Sequence, residues 1–209
     1  RSLKAAGIEL LMDAPHVRGA VENLNLDRIE SEKLRVKLKS ISHLLPAVSG
    51  AKVLWIDDRP EKIIAERRLL RALGVVVVSA TSSDEAREVL RVDRDFDLIV
   101  SDVQRLGETH VLTGGVDIHE GVNFVVWLRT RFGDPFVANL PVLFYAAYDW
   151  PKLVEYTRPA RETFPEPGIS NSVLDFVPKI LTALADGRDM AIGVPAEKTP
   201  TAIRRNVKF

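Results

Sequence analysis

The sequence predicts an open parallel α/β sheet. Three observations carry this. Apolar runs of strand length recur from Lys52 onward. Segments with helical start and stop signals separate them. Two of the runs end in aspartate. Strands alternating with helices indicate a parallel sheet with right-handed crossovers.

Residues 1–50 read as a helical segment. Leu3 to Met12 is a short apolar stretch closed by Asp13-Ala14-Pro15. Leu26 to Leu45 is longer, with Leu34, Leu38, Ile41 and Leu45 along one helical stripe and charges on the other face. That stripe either packs on its own domain or serves as a dimerising or relay helix. Pro46 and Gly50 punctuate its end.

Residues 51–187 carry the strand–helix alternation. Val53–Ile56 is a buried strand. Pro60 opens a helix through Leu73, which Gly74 stops. Val75–Val78 is β-branched throughout, hence strand. Ser82 and Glu85 form a capping box for a helix to about Val92. Leu98–Val100 is the third strand. A polar loop leads to a helix from Gly121 to Arg131, and Pro141–Tyr145 is the fourth strand. Residues 152–163 read as a weak helix with a break at Pro159, and Phe164 to Asn171 as a loop. Val173 to Val177 reads as a short fifth strand, followed by a helix from Lys179 to Ala185 that Gly187 stops. One helix running from Ser172 through Leu184 is the rival, and Pro178 argues against it. Residues 188–209 read as a tail.

Composition narrows the function. Lys+Arg and Asp+Glu are both 29, so net charge exerts no pull toward nucleic acid or membrane. The small basic cluster Arg204, Arg205 and Lys208 is too sparse for a nucleic-acid footprint. The chain has no cysteine, which excludes disulfides and thiolate metal sites and fits a reducing, cytoplasmic setting. No apolar run is long enough for a membrane span. A chain that begins at Arg1 is expected to be a fragment with domains missing at its ends.

The chemistry-bearing residues sit at the strand ends. Val53-Leu54-Trp55-Ile56 runs into Asp57 and Asp58. Leu98-Ile99-Val100 runs through Ser101 into Asp102. Parallel topology puts all three acids at one edge of the sheet, where such folds hold ligands. Clustered carboxylates repel unless a cation joins them. Oxygen-only ligands favour a hard ion, and Mg²⁺ commonly takes one or two carboxylates with phosphate. The plain alternative is a set of helix caps and loop acids, which the adjacent pair and third acid disfavour.

At these residues the sequence resembles the receiver domain of bacterial two-component signalling, over residues 51–187. Lys52 to Asp58 is similar to the first-strand acid pair, and Phe96 to Asp102 to the phospho-acceptor strand. Pro141 to Ala147 is similar to the fourth strand, and Leu174 to Lys179 to the fifth with its terminal lysine. The resemblance implies a doubly wound, flavodoxin-like, five-stranded parallel sheet, here preceded by the helical segment. It implies that Asp102 accepts phosphate from a histidine kinase or phosphotransfer protein. Asp57, Asp58, Asp102 and the backbone carbonyl of Gln104 would bind Mg²⁺, and Lys179 would pair with the phosphoryl group.

The chain departs from that pattern in four places. Ala146 stands where the family has a Thr or Ser hydroxyl. Ile180, rather than Pro, follows Lys179. The stretch from Ala146 to Lys179 is longer than usual. The loop after Asp102 is long, lacks Met-Pro and contains Gly107, Gly114 and Gly115. A hydrogen bond to a charged group contributes about 1.5–3 kcal/mol, so an alanine at the switch position removes one handle on the phosphoryl oxygens. Tyr145 and Tyr148 are candidate substitutes. His110, His119, Asp117 and Glu120 read as surface-loop residues rather than a metal set, and the loop itself is a candidate partner-binding lid. Trp127 and Trp150 read as half-buried packing.

Three functions compete. The first is an atypical response-regulator receiver module, not an enzyme with turnover. The second is a phosphorylation-independent interaction module, or pseudo-receiver. The third is a Mg²⁺-dependent phosphoester or nucleotide hydrolase, which needs a general acid or base beyond the three carboxylates. No glycine-rich phosphate loop and no Gly-x-Ser-x-Gly elbow accompany them.

Overall fold

The β-branched and aromatic runs form strands because such side chains fit a pleated surface covered on both sides. The computed structural model describes residues 13–105 and 118–193. Its strands are β1 (Lys52–Ile56), β2 (Val76–Ala80), β3 (Leu98–Ser101), β4 (Val142–Tyr145) and β5 (Gly168–Ser170). They form one sheet in the order β2-β1-β3-β4-β5, parallel throughout. This is the doubly wound flavodoxin-like order, whose switch point lies between β1 and β3.

The helices are α1 (Pro15–Glu22), α2 (Arg28–Ser40), α3 (Leu45–Val48), α4 (Ile64–Ala72), α5 (Ser83–Val92), α6 (Glu120–Arg131), α7 (Pro135–Ala138), α8 (Trp150–Arg161) and α9 (Val173–Gly193). A 3₁₀ turn, Pro60–Ile63, leads into α4. Gly74, at φ +90°, ends α4 in a conformation that a side chain would strain. Ser82 Oγ accepts from the Glu85 amide at 3.0 Å and caps α5, but the expected box is incomplete, since the Glu85 carboxylate takes the Thr81 amide at 2.6 Å rather than that of Ser82.

Alternation along the strands builds two cores. Val53 and Trp55 face one side with Val77, Val100 and Leu143, against α4 and α9. Leu54 and Ile56 face the other with Ile99 and Phe144, against Phe124, Val125 and Leu128 of α6 and Leu153 of α8. The amino-terminal helices belong to the first core. Leu34 and Leu38 of α2 are fully buried, as are Val17 of α1 and Val48 of α3. Asp27 and Glu30 cap α2 reciprocally, each side chain accepting the other's amide. The opposite side of α2 leaves Ile29 and Val36 exposed.

The carboxyl-terminal third differs from the expectation. Val173–Val177 is not a strand. It opens α9, and the fifth strand is Gly168–Ser170, inside the segment expected to be a loop. Pro178 sits within α9. Its missing N–H frees the carbonyl four residues earlier, that of Leu174. Lys37 Nζ of α2 donates to that carbonyl at 3.2 Å, so a neighbouring helix supplies the absent donor. Pro159 likewise does not break α8. It and Glu155 lie on the exposed side of the helix. Gly187 does not stop α9, which continues to Gly193. The Leu3–Met12 segment, most of the loop after Asp102 and the 194–209 part of the tail lie outside the described residues. No described helix is long and apolar enough to cross a membrane.

If α2 is part of the cooperative core, Leu38→Ala lowers the unfolding free energy by about 2–5 kcal/mol in a urea titration. A loss below about 0.5 kcal/mol, the range of surface changes, would remove α2 from it.

Candidate functional site: an acidic edge with a buried arginine

The sheet register brings the acids together. Ile56 pairs with Ser101, so the next residues, Asp57 and Asp102, leave the sheet side by side. The Asp102 amide donates to Ile56 O at 3.1 Å, and the Asp57 amide to Ala80 O at 3.0 Å. Asp57, Asp58 and Asp102 offer carboxylate oxygens that all lie within 4.8 Å of one another. Asp57 and Asp58 are half-buried, and Asp102 is 7% exposed.

Burial pushes the Asp57 carboxyl above the usual carboxylate range. The charge of Asp58 adds to this. The Arg59 amide, donating to Asp57 Oδ1 at 2.8 Å, and the charges of Arg59 and Arg105 oppose it. Arg59 Nε also lies 3.3 Å from Asp58 Oδ1. Beside the acids, Lys62, Glu66, Tyr145 and Ala146 line a cleft of about 350 Å³. Glu66 accepts from the Tyr145 hydroxyl at 3.1 Å. Burial raises both groups, the tyrosine far beyond its usual range.

Sequence reasoning missed Arg105. It is completely buried. Its Nη1 donates to Asp102 Oδ1 at 2.9 Å and to Ser101 Oγ at 3.3 Å, and its Nη2 to Ser83 Oγ at 2.8 Å. Its guanidinium lies 5.8 Å from the centre of the Phe124 ring. An arginine three residues past a strand end ordinarily reads as solvated. The only hint was its loop position, close enough in sequence to turn back on Asp102.

Gly121 is the second missed residue. A Cβ there would sit 2.1 Å from the Asp102 carbonyl oxygen and 3.1 Å from Oδ1. Only glycine lets the first turn of α6 approach the acid so closely.

The remaining expected residues divide. Ala146 does occupy the end of β4, its amide donating to Ser170 O at 3.2 Å. Tyr148 and Gln104 form a hydrogen-bonded pair, hydroxyl to Oε1. Gln104 Nε2 lies 3.3 Å from His119 Nε2. The His119 ring packs on Tyr156, centroids 4.7 Å apart, so this histidine is half-buried packing rather than a solvated loop residue. Glu120, also expected on the surface, is completely buried. His110 and Asp117 lie outside the described residues. Trp127 is half-buried between Phe124 and Phe132, and Trp150 is 47% exposed with Lys179 over its ring.

Lys179 requires a correction. It lies in α9, beyond the true end of β5, and donates to Ile169 O at 2.9 Å while pairing with Asp175 at 2.6 Å. It is not among the residues lining the acidic cleft. The residue after β5 that lines the cleft is Asn171, whose Nδ2 donates to Tyr148 O at 2.9 Å. The long interval from Ala146 to Lys179 arises because the lysine is not the strand-end residue. Cations beside the acids include Arg59, Lys62, Arg67 and Arg105.

Comparison with solved structures places this architecture. The signal receiver domain of a histidine kinase from Syntrophus aciditrophicus aligns over 77% of this chain and 98% of its own, with 18% identity and a TM-score of 0.51. A fusion carrying a yeast Spc42 coiled-coil segment aligns over 76% and 92%, with 22% identity and the same score. The Vibrio cholerae chemotaxis protein CheY4 aligns over 65% and 99%, with 21% identity and a TM-score of 0.48. No family model and no curated protein matches the chain by sequence. The chain has the fold of signal receiver domains.

Two outcomes follow from the site geometry. Gly121→Ala forces α6 away from Asp102 and destabilises the fold by at least about 1–3 kcal/mol in denaturant titration. A neutral result would contradict the close approach. The raised Asp57 pKa means that its contribution to stability is full below its unfolded value and is lost as pH rises through the native value. Asp57→Asn therefore raises Tm at neutral pH, and the gain disappears below the ordinary carboxylate range. An equal gain at every pH would refute the assignment.

Proposed function

We propose that the chain is an atypical receiver module in phosphorelay signalling, with Asp102 as phospho-acceptor. The observation that carries this reading is the convergence of Asp57, Asp58 and Asp102 at the switch point of a receiver-type sheet. The donor set fits a hard divalent cation: three carboxylates, oxygen ligands only, and a half-buried acid pair. Asp57, Asp58 and Asp102, with the Gln104 backbone carbonyl, would hold Mg²⁺. When bound, the ion supplies positive charge against an incoming phosphoryl group.

The chain's own residues do the rest. Asp102 presents a carboxylate at the edge of β3, fixed from below by Arg105. Arg59 and Lys62 line the approach and offer the positive charge that Lys179 does not bring to the cleft. The donor is a histidine kinase or phosphotransfer protein, and the chain acts as recipient rather than as an enzyme with turnover. A cytoplasmic location suits such a partner. The exposed Ile29 and Val36 of α2 are the face on which a homodimer would form.

A second reading, the phosphorylation-independent interaction module, is favoured by one observation. Asp102 is already engaged by a buried guanidinium, and neither a hydroxyl at Ala146 nor a lysine at Asn171 awaits a phosphoryl group.

Incubation with Mg²⁺ and acetyl phosphate distinguishes them. The expected result is one phosphoryl group per chain, dependent on Mg²⁺ and located at Asp102 by borohydride reduction of the acyl phosphate to homoserine. No adduct, together with no Mg²⁺-induced rise in Tm, would establish the interaction module.

A further inference from the structure

Arg105 is a charged group outside the Mg²⁺ set. It is completely buried, and among the described residues its guanidinium touches β3, α5 and α6. Nη1 holds Asp102 Oδ1 and Ser101 Oγ at the end of β3. Nη2 holds Ser83 Oγ, on the first residue of α5. The guanidinium lies beside Phe124 of α6. Ser83 is itself buried, at 2% exposure. The two ends of one rigid, planar group therefore join the candidate acceptor to the amino terminus of a helix.

We propose that Arg105 reads the phosphorylation state of Asp102 and transmits it to α5 through Ser83. This rests on the phospho-acceptor reading above. In the transfer, a carboxylate oxygen of Asp102 bonds to phosphorus. The donor's bond to phosphorus breaks, and acetate from acetyl phosphate, or the imidazole of a phosphohistidine, leaves with the electron pair. The carboxylate charge disappears from Asp102, and a phosphoryl group with its own negative charge appears farther out. A guanidinium follows such a charge, because its planar fork matches phosphoryl oxygens in a bidentate, charge-assisted geometry. Moving toward the phosphoryl group draws Nη2 off Ser83. The first turn of α5 then loses a buried, charge-assisted hydrogen bond. The device needs neither a hydroxyl at position 146 nor a lysine after β5, and so accounts for a receiver-type site that has Ala146 and Asn171 there.

The experiment is amide hydrogen exchange across 80–92, with and without beryllofluoride or acetyl phosphate and Mg²⁺. Mass spectrometry counts the adduct in parallel. Exchange in the first turn of α5 is expected to accelerate about tenfold on adduct formation, as for local opening after loss of one hydrogen bond. In Ser83→Ala, which severs the link without burying a new charge, the adduct forms and α5 exchange no longer responds. Arg105→Met, which fills the space without charge, behaves the same way. If Arg105→Met does not fold, Ser83→Ala alone decides. An adduct with unchanged α5 exchange in the wild-type chain overturns the relay and leaves Asp102 as acceptor. So does a response that persists in Ser83→Ala. Absence of any adduct overturns the acceptor reading and the relay together.

Discussion

The in-register pairing of β1 with β3 is the constraint on which the site depends. Ile56 opposite Ser101 leaves Asp57 and Asp102 nowhere to go but beside each other. Neighbouring parallel strands are about 4.8 Å apart, so the acids repel across a distance the sheet does not let them increase. The surroundings answer this repulsion differently on each side. Asp57 has the Arg59 amide and a raised pKa. Asp102 has a guanidinium in the interior. Asp102 has a fixed positive partner inside the protein, whereas the more exposed pair gains most from a cation.

Buried ion pairs are weak evidence for stability, since desolvation consumes much of the attraction. The Asp102–Arg105 pair is better understood through what it connects. It spans the end of β3, the start of α5 and the ring of Phe124 with one side chain. Removing the acid would take from the buried guanidinium the carboxylate it holds at 2.9 Å.

Much of the fold was legible because four strands carry dense runs of Val, Ile, Leu and aromatic residues that a doubly covered sheet requires. The fifth strand was not. Gly168–Ser170 offers one strong strand former, Ile169, and its partner in register is the already legible β4. The apolar run just after it, Val173–Val177, is the buried face of a helix. Pro178 disguised that helix, because the donor replacing its missing amide comes from Lys37, far away in sequence. The acid trio was legible because strand ends and parallel topology fix its place. Arg105, Gly121 and Asn171 were not. A buried arginine, a glycine needed for close approach and a strand-end asparagine acquire meaning only when a partner element is in place.

The Lys37 contact has a consequence for how the molecule deforms. A helix with an internal proline ordinarily bends at the orphaned carbonyl. Here that point is braced from outside by α2, which is anchored in the same core as Trp55 and Phe176. Helices α2 and α9 therefore form one buttress on that flank of the sheet, and α5 packs on the opposite flank.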